Sequence, residues 1–261
     1  MKYDATIVVP LRNQVDEWLD EALRSALLQS VSTEVVVVRA EATPASNLAI
    51  LDGLQRYFAN LVVLDRDKPE SFPGAINKGI RHANSERVGF LLSDDWLDGD
   101  AVASCLRYET DIVCAGRVVY FPDGSINERA CWRPSLQEFN AIGTLEEKAS
   151  YLGHFLLFRR QAVLDAGGLD ESIGDYPGID DFDLIWTLLE RNATVSLVSE
   201  GLYHYRDHHG ERLTLRDPPT AVANLKKILR KHGITDEQAV DIVNRHARWY
   251  GRPMHQVMGE T

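Results

Sequence analysis

The sequence predicts an α/β fold in which a mixed, mainly parallel sheet is flanked by helices. Short apolar runs alternate with stretches of helical periodicity through the first hundred residues, which is typical of βαβ units. The run EVVVVRA (34–40) has no polar alternation, as expected for a strand that is covered on both faces. Asp94 and Asp95 end an apolar strand, and ligands of parallel sheets bind beyond such strand ends.

The first half of the chain is predicted to hold four strands, with a helix after each of the first three. Asn13 caps the first helix, whose apolar residues follow i, i+3 and i+4 spacing. Thr43 and Pro44 open the second helix, because proline is favoured at the first helical position. That helix extends to about residue 58, and a third covers residues 73–83. The strands are ATIVV (5–9), EVVVVRA (34–40), LVVLD (61–65) and RVGFLL (87–92).

The pattern changes from residue 111 onward. DIVCAGRVVYF (111–121) and INERACW (126–132) are predicted to pair as a hairpin around Asp123-Gly124, a common turn signal. Residues 133–150 are polar and poorly patterned, so we expect a mobile loop there. The following elements are a strand and short helix ended by Gly167-Gly168 (153–172), a helix (178–192) and a last strand (194–198).

Two amphipathic helices, residues 220–232 and 235–249, are predicted to end the chain. Thr235 and Gln238 form a capping box at the start of the second. Basic side chains on these helices allow docking on an anionic membrane. The favoured interpretation is that these basic side chains lie on solvated faces of helices, and that the helices pack on the rest of the chain or on a second subunit. The basic residues are Lys226, Lys227, Arg230, Lys231, Arg245, Arg248 and Arg252.

Composition limits the classes of partner. The formal net charge of -11 argues against nucleic acid, which recruits basic surfaces, although a divalent metal allows an acidic chain to bind a phosphorylated ligand. Cys105, Cys114 and Cys131 match no zinc or redox spacing and are expected to be reduced thiols. The sequence shows neither a signal-peptide pattern nor an apolar run of about 18 residues, so we expect a cytoplasmic protein.

Familiar ligand-binding fingerprints are missing from the sequence. No G-x-G-x-x-G follows the first strand, and neither the P-loop pattern nor a G-x-S-x-G elbow occurs. His208 and His209 lie far from any C-x-x-C pair, so their spacing does not predict a zinc site.

Two acidic clusters carry the functional signal. The first is Asp94-Asp95; the second is Asp180-Asp181 with Asp183, at the start of a helix. Helix capping and a solvated loop account for carboxylates at such places. The alternative is chemical: one pair of oxygen ligands suits Mg²⁺ or Mn²⁺ on a diphosphate, and a separate carboxylate suits a general base. Together these would serve an inverting group transfer.

The residues now match a family pattern. The chain resembles a family-2 glycosyltransferase of the GT-A fold, a Rossmann-like fold of nucleotide-diphospho-sugar transferases, over roughly residues 3–215. The matching segments, in the family's order, are TIVVPLRNQVDEWLDEALRSALLQ, GAINKGIRHANSERVGFLLSDDWLDGDA, LFRRQAVLDAGGLDES, GIDDFDLIWTLLERN and YHYRDHHG.

The resemblance implies roles for the acidic residues. Asp95, with Asp94 beside it, would hold a divalent cation (Mn²⁺ or Mg²⁺) on the donor diphosphate and contact the ribose. Asp181, with Asp180 next to it, would deprotonate the acceptor hydroxyl. The donor would be a nucleoside-diphosphate sugar, with a UDP-sugar favoured, and the acceptor a saccharide, a lipid-linked molecule or a small molecule.

The resemblance also implies ligand contacts. His208 or His209 would lie near the diphosphate or the metal, and Arg206 would contact phosphate. The nucleotide-sugar pocket would be lined by Pro10, Leu11, Asn13, Glu41 and Asn77.

Two positions depart from the family pattern. Arg39, Ala40 and Glu41 stand where the family has an acid that meets the nucleobase, and Glu41 is a candidate substitute. Leu92 stands where the first acid of the metal site is expected. These departures keep open a catalytically weak or non-catalytic sugar-nucleotide-binding module. A nucleotidyltransferase is a third reading, but PLRNQ is a poor phosphate loop.

The resemblance, together with the pattern of the last two helices, predicts a domain organisation as well. Residues 1–215 would form the GT-A domain, with a nucleotide-binding half (1–110) and an acceptor and catalytic half (111–215). Residues 216–261 would form a C-terminal helical extension. A homodimer and peripheral contact with the inner face of a membrane remain open alternatives.

Overall fold

A computed structural model describes residues 2–69, 71–173, 180–208 and 217–258. These residues form one sheet of eight strands in the order β3-β2-β1-β4-β7-β6-β8-β5. The first three βα units produce the predicted parallel part, because each helix returns the chain to the same end of the sheet. The strands are β1 (Ala5–Leu11), β2 (Thr33–Arg39), β3 (Leu61–Asp65), β4 (Arg87–Phe90), β5 (Trp96–Leu97), β6 (Ile112–Tyr120), β7 (Leu156–Arg159) and β8 (Val195–Arg206).

Strand direction decides which residues meet at the edge formed by the carboxyl ends of the parallel strands. β1 to β4 are parallel, β7 is antiparallel to both β4 and β6, and β8 is parallel to β6. β4, β6 and β8 therefore run in the same direction. The carboxyl ends of β4 and β8, which are far apart in the sequence, lie at the same edge of the sheet.

Helices cover both faces of the sheet and bury two apolar layers. The valines of β2 divide between the layers, Val36 and Val38 on one face and Val35 and Val37 on the other. This explains the unbroken apolar run in the sequence. The helices are α1 (Asp16–Leu27), α2 (Ala45–Gln55), α3 (Phe72–His82), α4 (Ala101–Cys105), α5 (Leu136–Ala141), α6 (Leu145–Tyr151), α7 (Arg160–Asp165), α8 (Asp180–Glu190), α9 (Pro218–Lys231), α10 (Ala239–Ala247) and α11 (Met254–Met258).

The mobile loop predicted for residues 133–150 is wrong, because two short helices occupy it. Ser135 accepts a hydrogen bond from the backbone N–H of Glu138, and Thr144 accepts one from Glu147. Both are S/T-x-x-E sequences, in which the hydroxyl satisfies an N–H that the first helical turn leaves without a partner. The segment has few apolar residues, so the hydrophobic pattern did not reveal these two helices, which begin at strong caps.

Three local predictions also need correction. Residues 126–132 do not form a full hairpin strand, since only two bridges, Tyr120 with Ile126 and Arg117 with Trp132, join them to β6. β8 extends to Arg206, well beyond residue 198, because its polar half pairs with β6 and β5. α1 begins after Val15 with no side-chain cap, so Asn13 is not its cap.

The C-terminal helices pack on the sheet domain. Leu225, Ile228 and Leu229 of α9 belong to the same apolar cluster as Ile185 and Leu188 of α8. Thr235 and Gln238 make the reciprocal hydrogen bonds of the predicted capping box, and the helix is counted from Ala239. Within the described ranges, no helix is long and apolar enough to cross a bilayer. The three cysteines are free thiols, as predicted.

Candidate active site

Asp95 lies at the carboxyl end of β4 and is buried, with 1% of its surface exposed. Its Oδ2 accepts a hydrogen bond from the Tyr203 hydroxyl at 2.6 Å, and its Oδ1 accepts one from the backbone N–H of Arg206 at 2.7 Å. Both donors belong to β8. Asp95 therefore joins the loop after β4 to the end of β8.

Asp94 has a different environment from that of its neighbour. Its Oδ2 lies 3.1 Å from His208 Nε2, and its side chain is 18% exposed. His208 follows β8, and its ring lies 4.6 Å from that of Trp18 on α1. The parallel directions of β4 and β8 thus bring a carboxylate and an imidazole together at the same edge of the sheet.

Arg206 holds this edge together. Its Nε donates to the Asp94 carbonyl oxygen at 2.9 Å, and its guanidinium also contacts the carboxylate of Glu21. The charged carbon lies 4.9 Å from the Trp18 ring and 4.7 Å from the Trp96 ring, a double cation–π arrangement. These contacts fix α1 and the loop after β4 relative to β8.

An inner layer of polar groups, which the sequence analysis missed, lies behind these residues. Tyr203 is fully buried, and burial together with the charge of Asp95 raises its pKa well above the usual value. The His154 ring stacks on Tyr203 with 5.0 Å between centroids. Arg117 lies 5.9 Å from the Tyr205 ring, and burial lowers its pKa. An arginine within the apolar run DIVCAGRVVYF is the signal that was available.

Charges from both acidic clusters act on the pKa of His154. Burial lowers the pKa of its imidazole, and the positive charge of Arg117 acts in the same direction. The negative charges of Asp181 and Asp94 oppose this shift. The imidazole is therefore neutral at pH 7 and lies within the electrostatic range of both carboxylates.

Asp181 is the second residue of α8 and is half-buried. Its Oδ1 accepts a hydrogen bond from the backbone N–H of Phe182 at 2.9 Å, in the first turn of the helix. Asp180 begins the helix, and its side chain lies outside the described residues, as does the whole of His209. The third acid, Asp183, contacts Lys231 of α9.

Asn77 binds protein groups. Its amide nitrogen donates to the Leu169 carbonyl oxygen and to Glu171 Oε1, both at 2.9 Å, and its Oδ1 accepts from the Leu169 N–H at 2.8 Å. Gly168 allows this contact, because a Cβ there would lie 2.4 Å from the Asn77 Oδ1. The amide thus fixes the segment after α7.

The other predicted pocket residues lie at the ends of β1 and β2. Pro10 and Leu11 are buried in β1, and the Leu11 carbonyl oxygen accepts from Ala40 N at 2.8 Å. Asn13 is exposed, and the Glu41 carboxylate pairs with Lys68. A second carboxylate reaches this edge from β3, since Asp65 lies 2.7 Å from Arg39.

The side chains of Asp94 and His208 are the candidate ligands for a divalent cation at this edge. In the part of the chain that the structure describes, no group of three or more His, Cys, Asp or Glu side chains converges. The pair Asp94 and His208 offers one carboxylate oxygen and one imidazole nitrogen at a partly open site. These donors fit a divalent ion such as Mn²⁺, which accepts nitrogen beside oxygen ligands.

The sheet order and the position of the acidic clusters define a GT-A glycosyltransferase fold. TarS of S. aureus (residues 1–349, solved with UDP-GlcNAc) superimposes with a TM-score of 0.65, 19% identity and coverage of 98% of this chain and 71% of TarS. The mannosyltransferase PcManGT of Pyrobaculum calidifontis, solved with GDP-Man and Mn²⁺, superimposes with a TM-score of 0.63, 16% identity and coverage of 95% and 70%.

Sequence comparison identifies the family. The family model described as Glycosyl transferase family 2 matches residues 6–167, and the chain belongs to that family. A curated relative, the O-antigen biosynthesis protein RfbC of Myxococcus xanthus, is 24% identical over 204 residues. The match covers 77% of this chain and only 16% of that relative.

Proposed function

We propose that the chain transfers a sugar from a nucleoside-diphosphate sugar to an acceptor hydroxyl, with inversion at the anomeric carbon. The observation that carries the proposal is the pair Asp94 and His208 at the same edge of the sheet, with Asp181 as a separate carboxylate. UDP-GlcNAc and GDP-Man in complexes of the similar folds support the donor class, and a UDP-sugar remains the favoured donor.

In this proposal the two acidic clusters serve the two partners of one displacement. Asp181 accepts the proton of the acceptor hydroxyl while that oxygen attacks the anomeric carbon. The bond from that carbon to the diphosphate oxygen breaks on the opposite face, and its electron pair leaves with the nucleoside diphosphate.

Asp94 and His208 would hold a divalent cation, which neutralises the charge that develops on the leaving diphosphate. We expect Asp94, rather than the more buried Asp95, to be the ligand from this loop. The Asp95 oxygens accept hydrogen bonds from Tyr203 and the Arg206 N–H, so its contribution is to fix the loop. Mn²⁺ in the mannosyltransferase complex supports the choice of metal.

The nucleoside would lie across the ends of β1, β2 and β3. Glu41 and Asp65 supply carboxylates at the place where the resemblance leads one to expect an acid after β2. The RfbC similarity supports a polysaccharide as the acceptor class.

A non-catalytic sugar-nucleotide-binding module is the second candidate. It is favoured by Leu92, which replaces one acid of the metal site, and by the internal hydrogen bonds of Asp95. Such a module would bind UDP or GDP with Mn²⁺ and turn over no donor.

The test combines binding and turnover. UDP, GDP, CDP and dTDP are compared by thermal shift with and without Mn²⁺, because a ligand of the native state raises the melting temperature. Hydrolysis of UDP-GlcNAc and GDP-mannose is followed by release of the nucleoside diphosphate. We expect Asp181→Asn to abolish release and to keep binding. Binding without release in the wild type would favour the second candidate, and unchanged release in Asp181→Asn would refute the base assignment.

A further inference from the structure

One ammonium group on the C-terminal extension contacts the chain on both sides of the candidate base. Lys231 Nζ, at the end of α9, lies 2.6 Å from Asp183 Oδ2 and 3.6 Å from Asp170 Oδ2. Asp170 precedes Asp181 in the sequence and Asp183 follows it. The side chain of Lys231 therefore joins the two flanks of the segment that carries Asp181.

The next residue, His232, contacts α8 along the length of that helix. His232 Nε2 lies 3.0 Å from Asp183 Oδ1, and its Nδ1 lies 2.8 Å from Glu190 Oε1. Its ring stacks on that of Trp186 with centroids 4.2 Å apart and planes within 5°. One imidazole thus contacts the first turn, the middle and the last residue of α8. Its side chain is 2% exposed, so this contact excludes water.

The buried carboxylate of Asp183 needs both Lys231 and His232 as partners. Its side chain is 1% exposed, and a buried carboxylate is unfavourable unless charged or polar partners compensate for the lost water. Lys231 and His232 supply one partner for each oxygen. The family match ends at residue 167, so these partners lie outside it.

We propose that Lys231 and His232 are positioning residues for the candidate base: through Asp183 they fix the first turn of α8, and with it Asp181. The proposal rests on the function proposed above, in which Asp181 accepts the acceptor proton. A misplacement of about 1 Å at a reacting group lowers turnover by about a hundredfold, so a loosened helix should act on kcat.

The test compares Lys231→Met with Lys226→Met, which removes an exposed lysine from the same helix. With UDP-GlcNAc or GDP-mannose and Mn²⁺, we expect Lys231→Met to lower kcat at least tenfold and to leave the donor KM within twofold. Lys231→Arg, which keeps the cation, should recover most of the loss. Lys226→Met should match the wild type, and equal kcat in Lys231→Met and Lys226→Met would overturn the proposal.

A second readout does not depend on turnover. Amide hydrogen exchange over residues 181–190 should become faster in Lys231→Met and in His232→Gln, and not in Lys226→Met. The double variant Asp183→Asn/Lys231→Met leaves no unpaired buried charge, so it tests positioning without threatening the fold. If its exchange and kcat equal those of the wild type, the proposal fails. Normal turnover in Asp181→Asn would instead refute the assignment of Asp181 as the base, on which this proposal rests, whatever the Lys231 variants do.

Discussion

Adjacent residues with identical side chains have different surroundings after β4. Asp95 is buried and accepts two hydrogen bonds from β8, whereas Asp94 is partly exposed beside His208. The sequence places both aspartates at the ligand-binding edge, but only the tertiary contacts separate them. Tyr203, the partner that distinguishes them, lies in a strand that is more than a hundred residues away in the sequence.

We therefore expect opposite effects from two matched substitutions. Asp95→Asn weakens the hydrogen bonds to Tyr203 and Arg206, and the free energy of unfolding should fall by about 1–3 kcal/mol. Asp94→Asn should change stability by less than about 0.5 kcal/mol and remove the Mn²⁺-dependent part of UDP binding. Urea unfolding and thermal shift with UDP and Mn²⁺ measure the two effects. The reverse pattern would assign the metal to Asp95.

Asn77 supplies a second prediction at this scale. Its amide makes three hydrogen bonds to residues 169 and 171 in a buried position, so Asn77→Ala should lower the free energy of unfolding by about 2–4 kcal/mol. Asn13→Ala, at an exposed position, is the control and should have little effect. Urea unfolding distinguishes them. If Asn77→Ala unfolds like the wild type and weakens UDP binding, the predicted nucleotide contact is correct instead.

At the scale of elements, periodicity predicts the strands and the longer helices well, because those elements bury one or two apolar faces. It fails where an element is held by other forces. The second half of β8 is polar and depends on pairing with neighbours on both sides. α5 and α6 depend on the caps Ser135 and Thr144, and their two S/T-x-x-E sequences were a usable signal.

The contact of α9 with α8 predicts a pH dependence. Burial lowers the pKa of His232, but its hydrogen bonds to Asp183 and Glu190 outweigh this and leave the pKa raised above 6.5. A raised folded-state pKa stabilises the fold fully below the unfolded value, and this contribution is lost as pH rises through the folded value. Lys231, from the same helix, also faces this cluster.

The measurement is the free energy of unfolding between pH 5.5 and 8.5 for the wild type and His232→Gln. The stability difference between them should shrink as pH rises past 6.5. His154 and His204 have lowered pKa values and contribute to stability with the opposite sign. The wild type and His232→Gln both retain these two histidines, so their contribution cancels in the difference. A difference that grows with pH would contradict the assignment.

For the whole molecule, the sequence pattern predicts an α/β fold and two C-terminal helices, and the resemblance adds the GT-A class. The structure shows that the C-terminal extension shares an apolar core cluster with α8. Leu225, Ile228 and Leu229 are 0%, 1% and 0% exposed, and they pack in the cluster that contains α8. The sequence alone could not show this, because an amphipathic helix does not reveal which surface covers its apolar face. Several basic residues are also paired internally: Arg230 with Asp236, Lys231 with Asp183, and Arg245 with Glu146. This reduces the charge that is available to an anionic membrane.

We expect a chain that ends at residue 215 not to fold cooperatively. Each of the three buried aliphatic side chains contributes about 1.5–3 kcal/mol, and a domain is stable by only about 5–15 kcal/mol in total. Asp183 would also lose the partners of its buried charge. Thermal unfolding followed by circular dichroism tests this, with a chain lacking only residues 259–261 as the control. A sharp transition in the shorter chain would show that residues 1–215 are an independent domain.

The stacking of Trp186 on His232 also provides an optical signal. A protonated imidazole in face-to-face contact with an indole quenches its fluorescence, and this ring pair is separated by 4.2 Å. The fluorescence of Trp186 is the difference between the emission of the wild type and that of Trp186→Phe. It should therefore be weak while the extension is docked and should increase when the extension is released. The chain thus carries a built-in fluorophore on its candidate catalytic helix, which would report docking in real time without an attached dye.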